Sequence, residues 1–306
     1  MIHNFEELLS AAARISVPRA LVVFPANEAT FEAIREARER LGLEFILAGH
    51  RKLIEAALPN FGGGEIVNCT DVDDCVKTSM ALMAKHEAGI LMKGSVDTTT
   101  LMKAVMRPES GLRAGRLLSD VFLFEHAVRT ENKLVMITDG GLNIAPDLGA
   151  KVELIENAVE LAHALGNPCP KVAVLAATEF VQLNMPATLD AAVLCKMNER
   201  GQIRGCIVEG PLALDGALAA HAAQEKHIGS PVAGAAEILL CPNIECANVL
   251  AKATTYIGNT RLAHVIVGGG VPILIPSRAD RSDAKLLSLA LGMIVCEHAK
   301  STAEPL

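Results

Sequence analysis

Gly268-Gly269-Gly270-Val271-Pro272-Ile273-Leu274-Ile275-Pro276-Ser277-Arg278-Ala279-Asp280-Arg281-Ser282-Asp283-Ala284-Lys285-Leu286-Leu287-Ser288-Leu289-Ala290 reads as a buried strand running into a helix. Val271 to Ile275 is the strand. Leu286, Leu287, Leu289, Ala290 and Met293 then recur with helical spacing. Ser277, Arg278, Asp280 and Asp283 fall at the junction, where free helix N–H groups favour anions and where open α/β sheets gather their ligands. An arginine there reads as an anion clamp. Ser and Asp ahead of an apolar helix also serve as N-caps, and for Asp280 that reading stands beside the functional one.

Working outward, strand and helix patterns alternate along the chain. Arg19 to Phe24 is strand-like, Glu28 to Leu41 helical, Glu44 to Ala48 strand-like and Asp71 to His86 helical, before the apolar strand Gly89 to Met92. The rhythm resumes with strand Leu134 to Thr138, helix Leu148 to Leu165, strands Val172 to Ala176, Ile203 to Glu209 and Ile238 to Leu240, helix Ile244 to Tyr256 and strand His264 to Val267. Such alternation spells an α/β fold built on a parallel sheet with crossover helices. A chain of 306 residues exceeds what one core usually serves, so two domains are expected. The turn-rich stretch Asp139 to Asp147 is read as the crossover between them. A buried strand needs neighbours on both sides, and this sends Val271 to Pro276 back to the first domain.

Composition narrows the partners. A net charge of −7 with 3% aromatic residues and no Trp removes the resources of nucleic-acid binders. Mean hydropathy is +0.33, yet no apolar run reaches the roughly 18 residues that span a bilayer, and Met1 to Glu7 lacks a basic leader. A cytoplasmic protein with no membrane partner is expected. Eight cysteines without a CxxC pair argue for buried thiols over disulfides. Cys241 and Cys246 flank Pro-Asn-Ile-Glu without a paired histidine, so no metal site is assigned.

A second candidate site follows the strand Gly89 to Met92. Lys93 supplies a point charge, Gly94 permits close backbone approach, and Ser95, Thr98 and Thr99 supply hydroxyls, a set that suits a phosphate. The plainer alternative is a Thr/Asp helix cap with Lys93 solvated. Neither a P-loop nor a Gly-x-Gly-x-x-Gly turn is present, and the Gly268-Gly269-Gly270 run precedes a strand. Arg107, Arg113 and Arg116 lie in a Gly- and Pro-bearing connection downstream, which either carries these charges for solubility alone or uses at least one of them to hold phosphates of a large ligand. No Gly-x-Ser-x-Gly elbow supports hydrolase chemistry.

These residues resemble the phosphate acetyltransferase and phosphate butyryltransferase family. The likeness runs through Met92-Lys93-Gly94-Ser95-Val96-Asp97-Thr98-Thr99, Gly111 to Ser119, Asn143-Ile144-Ala145-Pro146-Asp147, Glu209 to Asp215, Ser230-Pro231-Val232-Ala233-Gly234, Pro242-Asn243-Ile244-Glu245 and Pro276-Ser277-Arg278-Ala279-Asp280. The last of these is more similar to the butyryltransferase branch.

The resemblance implies metal-independent transfer of a short acyl group, butyryl or acetyl, between coenzyme A and inorganic phosphate through a ternary complex. Both are substrates, and no cofactor is permanently bound. It also implies two doubly wound α/β domains with a cleft between them, isocitrate/isopropylmalate dehydrogenase-like, and a homodimer. The domains are expected at 1–137 plus 266–306 and at 138–265. Ser277 and Arg278 match a functional pair, Ser277 bonding the thioester region and Arg278 steadying phosphate or the carbonyl oxygen. In the acetyltransferase pattern an aspartate lies seven places after the serine; that place is Ala284 here, so Asp283 is the candidate base and Asp280 the reserve. A carboxylate of pKa ~3.9 facing a thiol of pKa ~8.5 spans about 4.6 units, roughly 6 kcal/mol, so proton movement accompanies attack and does not precede it. Rival readings are a metal- and NAD-dependent decarboxylating dehydrogenase of the same fold and a non-catalytic acyl-CoA-binding module.

Overall fold

The computed structural model describes residues 1–16, 19–59, 61–62 and 64–302; positions 303–306, the end of the expected first domain, lie outside the described residues. In chain order its elements are α1 (Phe5–Ala12), β1 (Ala20–Val23), α2 (Glu28–Leu41), β2 (Phe45–Gly49), α3 (Arg51–Ala57), β3 (Gly64–Asn68), α4 (Val72–Ala84), β4 (Ile90–Lys93) and α5 (Thr98–Val105). A 3-10 turn (Pro108–Ser110) leads to β5 (Ser119–Glu125), β6 (Leu134–Thr138), α6 (Leu148–Ala164), β7 (Lys171–Leu175), α7 (Pro186–Glu199) and β8 (Ile207–Leu212). The chain finishes with α8 (Leu214–Leu218), α9 (Ala220–Glu225), β9 (Ile238–Leu240), α10 (Ile244–Tyr256), β10 (Leu262–Val267), β11 (Ile273–Leu274) and α11 (Ser282–Thr302).

These elements group into two units. One holds Phe5–Arg116 with Ala263–Leu306, the other Met1–Asn4 with Leu117–Leu262. In the first, the strands run in the order β3-β2-β1-β4-β11-β10. Ala-Leu-Val-Val of β1 and Phe-Ile-Leu-Ala-Gly of β2 are buried throughout, as continuous apolar runs must be when both faces of a sheet are covered. Helix α2 begins because the Asn27 side chain accepts the Thr30 N–H at 2.9 Å and ends at Gly42, whose φ of 66° suits a residue without Cβ. Helix α11 packs on α1, α2, β4 and β11, while α4 packs on β1, β2 and α5.

The other unit orders its strands β5-β6-β9-β7-β8. Its core gathers Val135, Ile137, Ala173, Leu175, Leu212, Leu239 and Ala247 from the strands and α10.

The sheets are not wholly parallel, contrary to the alternation argument. Strand β10 runs antiparallel to β11, and β5 antiparallel to β6. Residues 268–272 and 126–133 join these pairs, and both connections are shorter than the dozen or so residues a parallel crossover needs. The strand expected over Ile203 to Glu209 starts at Ile207, because Asn198 Nδ2 donates to Ile203 O and Cys206 O, both at 3.0 Å, and ties 203–206 into a turn. The stretch Asp139 to Asp147 is the β6–α6 connection inside one unit, and the chain changes unit at 4/5, 116/117 and 262/263. Residues 117–137 therefore lie apart from the grouping expected for 1–137, since β6 pairs in parallel with β9.

One close approach positions the Lys93 loop. Gly94 N–H donates to Val23 O at 2.9 Å and Ser95 N–H to Phe24 O at 2.8 Å. A Cβ at Gly94 would stand 2.4 Å from Phe24 O and 2.6 Å from Val23 O. The tight approach that glycine allows is thus to the end of β1. Gly94→Ala is expected to cost about 1–3 kcal/mol through overpacking, read as a lowered denaturant midpoint; an unchanged midpoint would show that β1 and β4 separate freely.

Candidate functional site

Strands β2 and β3 extend the sheet to one side of β1, and β4 lies on the other. The order of the parallel strands therefore reverses between β1 and β4, and at such a switch point the loops leaving the carboxyl ends diverge and open a crevice. The two loops meet where Asn27 Nδ2 donates to Ser95 Oγ at 3.3 Å. Phe24, at the end of β1, has a φ of 55°. Its N–H bonds Ala48 O at 2.7 Å and its O accepts Ser95 N–H, so its neighbours hold this uncommon backbone in place.

On the far side of β4 lies β11, with Ile273 opposite Leu91 and Leu274 opposite Met92. Continuing that register carries Lys93 and Ile275 out of the sheet together, and the Ser277 turn follows. Lys93 is 5% exposed, and its Nζ makes one long hydrogen bond among the described residues, 3.4 Å to Val96 O. An ammonium has three donors. Burial first, then the Arg278 charge, pushes the Lys93 ammonium below the usual lysine range, with Lys285 adding to the effect and Asp97 and Asp280 opposing it. Asp97 does cap α5, accepting Thr100 N–H at 3.1 Å, but Lys93 beside it is buried and not solvated.

The turn after β11 is closed by its own polar groups. Ser277 N–H donates to Asp280 Oδ2 at 2.7 Å, and Asp280 N–H returns to Ser277 O at 3.2 Å. Asp280 therefore caps backwards, onto Ser277. Ser277 and Arg278 are exposed, and Ser277 Oγ accepts Ala279 N–H at 3.4 Å. Beneath the turn, Lys285 is 1% exposed and donates from Nζ to Ser277 O at 3.2 Å and to Asp280 O at 2.5 Å. Asp283, in the first turn of α11, has Arg281 Nε 3.5 Å from its carboxylate.

Lys93, Gly94 and Ser95 thus come together with Ser277, Arg278 and Asp280 at neighbouring strand ends. Thr98 and Thr99 open α5, half-buried and exposed respectively. Arg107 lies beyond the opposite end of that eight-residue helix, about 12 Å along its axis at 1.5 Å per residue. There it lines a cavity of about 630 Å³ with Lys77, Met80, Lys103 and Glu109. Arg113 is exposed, and its backbone forms an isolated antiparallel bridge with Gly269 in the β10–β11 connection. Sequence reasoning passed over Lys285 and Asn27. A lysine set among the buried positions Leu286, Leu287 and Leu289 was the available signal for the first.

The other unit has its own carboxylate cluster at the end of β6. Asp139 accepts Gly141 N–H at 2.8 Å, Leu142 N–H at 2.9 Å and Asn143 Nδ2 at 2.5 Å. Burial, reinforced by Asp120, nevertheless pushes its carboxyl up to about 6. Asn143 also donates to Leu118 O at 2.9 Å, and Asp147 caps α6 through Ala150 N–H. Among the described residues, no group of three or more His, Cys, Asp or Glu side chains could hold a metal ion, and no helix is long and apolar enough to cross a membrane.

Known proteins match this chain over most of its length. The family model described as phosphate acetyl/butaryl transferase matches residues 65–293. A phosphate butyryltransferase of Clostridium beijerinckii is 38% identical over 98% of this chain and all of its own. A phosphate acetyltransferase of Thermotoga maritima is 38% identical over 95% of this chain and 99% of its own. The solved structure of a branched-chain phosphotransacylase from Enterococcus faecalis superposes with a TM-score of 0.83 at 29% identity, covering 92% of this chain and 99% of that one. By sequence and by fold, the chain belongs to the phosphate acetyl/butyryl transferase family.

Proposed function

We propose that this enzyme transfers a short acyl group, butyryl or acetyl, between an acyl-CoA and inorganic phosphate, releasing coenzyme A and an acyl phosphate. One observation carries the reading: a buried lysine with unused donors, Lys93, ends the strand beside the turn that bears Ser277 and Arg278. Two cations and a hydroxyl at adjacent strand ends suit a tetrahedral dianion. Relatives named for butyryl and for acetyl transfer match at equal identity, which supports a short acyl chain without choosing its length.

Phosphate lies between Lys93 and Arg278 in this proposal, with Ser277 bonding the thioester region. A phosphate oxygen attacks the thioester carbonyl carbon; the O–C bond forms, the C–S bond breaks, and the proton from phosphate passes by way of Asp283 to the departing sulfur. Holding both substrates together converts an encounter into an oriented attack. Arg278 balances the oxyanion as it develops. Asp280, whose carboxylate bonds the Ser277 N–H, is assigned to shaping the turn, and Thr98 and Thr99 to the rim of the phosphate pocket. Arg107 and Arg113 are assigned to the phosphates of coenzyme A. A cytoplasmic homodimer without a resident cofactor completes the proposal; the exposed Phe180, Val181 and Leu183, in a single loop, offer apolar surface to a second copy.

The test is phosphate-dependent release of coenzyme A from acetyl-, propionyl-, butyryl- and branched acyl-CoA. Release from none of them ends the reading. In the same assay Arg278→Ala is expected to lose about 10²–10³-fold in turnover with its circular dichroism unchanged; near-normal turnover removes Arg278 from the chemistry.

Asp283→Asn is expected to lose about 10²-fold or more, the range of a missing proton acceptor, and Asp280→Asn less, because an amide oxygen still accepts the Ser277 N–H. The reverse ranking would transfer the base to Asp280.

Lys93 sets a pH dependence. Only its protonated form attracts phosphate, and its titration is displaced downward, so phosphate affinity is expected to decline as alkaline pH passes through that lowered value. Lys93→Arg stays charged throughout the working range and is expected to carry the decline to higher pH. Identical alkaline limbs in the phosphate KM would release Lys93 from the site.

A further inference from the structure

A charged side chain buried under a functional turn demands a reason, because removing an ammonium from water is costly unless something inside the protein repays it. Lys285 is 1% exposed in a stretch of α11 where Leu286, Leu287 and Leu289 are equally buried. A leucine would fill that place at less cost. Burial pushes the Lys285 ammonium below its usual range, and Asp280 pulls it back.

What Lys285 gains in exchange is specific. Its Nζ reaches the carbonyl oxygens of Ser277 and Asp280, the two ends of the turn that carries Arg278. With the Ser277 N–H to Asp280 Oδ2 bond and the Asp280 N–H to Ser277 O bond, four hydrogen bonds close one four-residue turn. The carbonyl oxygens are held toward the buried lysine, while Ser277, Arg278 and Ala279 stay exposed. Two consequences follow for an anion on the exposed side. The Ser277 and Arg278 side chains start from a fixed backbone, so little ordering is left for binding to accomplish. Two carbonyl dipoles that would repel a phosphate are also bonded to a cation.

We propose that Lys285 is a positioning residue for the phosphate site: it acts through the Ser277–Asp280 turn, fixing Ser277 and Arg278 and occupying the carbonyl oxygens that would otherwise oppose the bound anion. The inference rests on the phosphate acyltransferase reading for the identity of that anion. Lys285 does not touch substrate in this scheme. Its loss falls on the side of the reaction that the turn serves, the phosphate, and leaves acyl-CoA recognition intact.

The experiment compares full-length wild type with Lys285→Met, which keeps the length and apolar contacts of the stem and deletes the charge. The expected result is a phosphate KM raised about tenfold or more, the loss of hydrogen bonds made by a charged donor, with the acyl-CoA KM held within about twofold. A residue that merely supported the core would change the fraction of folded enzyme and leave the ratio of these constants alone. Lys285→Gln, which keeps one donor, serves where Lys285→Met does not fold, and is expected to shift the phosphate KM in the same direction by a smaller factor. Titration calorimetry with inorganic phosphate gives the comparison without turnover. Whichever variant folds, a phosphate KM and phosphate affinity equal to wild type overturn the role of Lys285. A wild type that binds phosphate but releases no coenzyme A overturns the acyl-transfer reading and leaves the calorimetric test of Lys285 in force; a wild type that binds no phosphate overturns both.

Discussion

The parallel pairing of β11 with β4 is the constraint on which the site depends. Two residue pairs, Ile273 with Leu91 and Leu274 with Met92, fix where the strand from late in the chain stops beside the earlier one. Side chains alternate along a strand, so a slip of one residue would reverse the facing of everything that follows until the turn. The register is held from several directions. Ile273, Leu274 and Leu91 are fully buried, β10 closes the other edge of β11, and the Gly270 N–H is tied to Leu112 O at 2.8 Å.

Around that pairing the charges form a graded set. Lys285 donates to two backbone carbonyls, Asp280 accepts the Ser277 amide, and Asp97 caps the start of α5. Lys93 retains donors, and Arg278 is exposed. The groups already bonded hold the frame, and Lys93 beside it keeps donor capacity. Burial sharpens the difference, since an ammonium with few partners in a poorly hydrated place gains more from an arriving anion than one in water.

Much of the frame was legible because buried parallel strands are written as unbroken apolar runs. Ala-Leu-Val-Val of β1 and Leu-Val-Met-Ile-Thr of β6 allow little else, and helix α2 carries both an Asn cap and a terminal Gly. The short helices α3, α8 and α9 and the partly exposed β3 gave no such pattern; β3 is Gly-Glu-Ile-Val-Asn, with no fully buried residue. Antiparallel pairing was hidden for another reason: composition does not encode strand direction, which connection length decides. Lys93, Ser277 and Arg278, which the structure brings to neighbouring strand ends, stood out in the sequence as polar residues following apolar strands. Lys285 did not, because within a helix a lysine ordinarily reads as solvated, and only tertiary packing turns its head inward beneath the turn. Asp280 was read as serving either helix or ligand, and its carboxylate turns back to an amide three residues earlier, a partner that residue type alone does not name.

The unit that holds the turn is discontinuous, and this bears on its birth as well as its chemistry. Strand β4 is made early, and β11 follows only after residues 117–262, an interval on the order of ten seconds at roughly 5–20 residues per second of translation. During that time one edge of β4 has no neighbour, an apolar ladder open to mispairing or to chaperones. Arg278, Lys285 and Asp280, whose charges act on Lys93, join it only when this late segment arrives. A nascent chain therefore lacks the Ser277–Asp280 turn beside Lys93 until its sheet is whole.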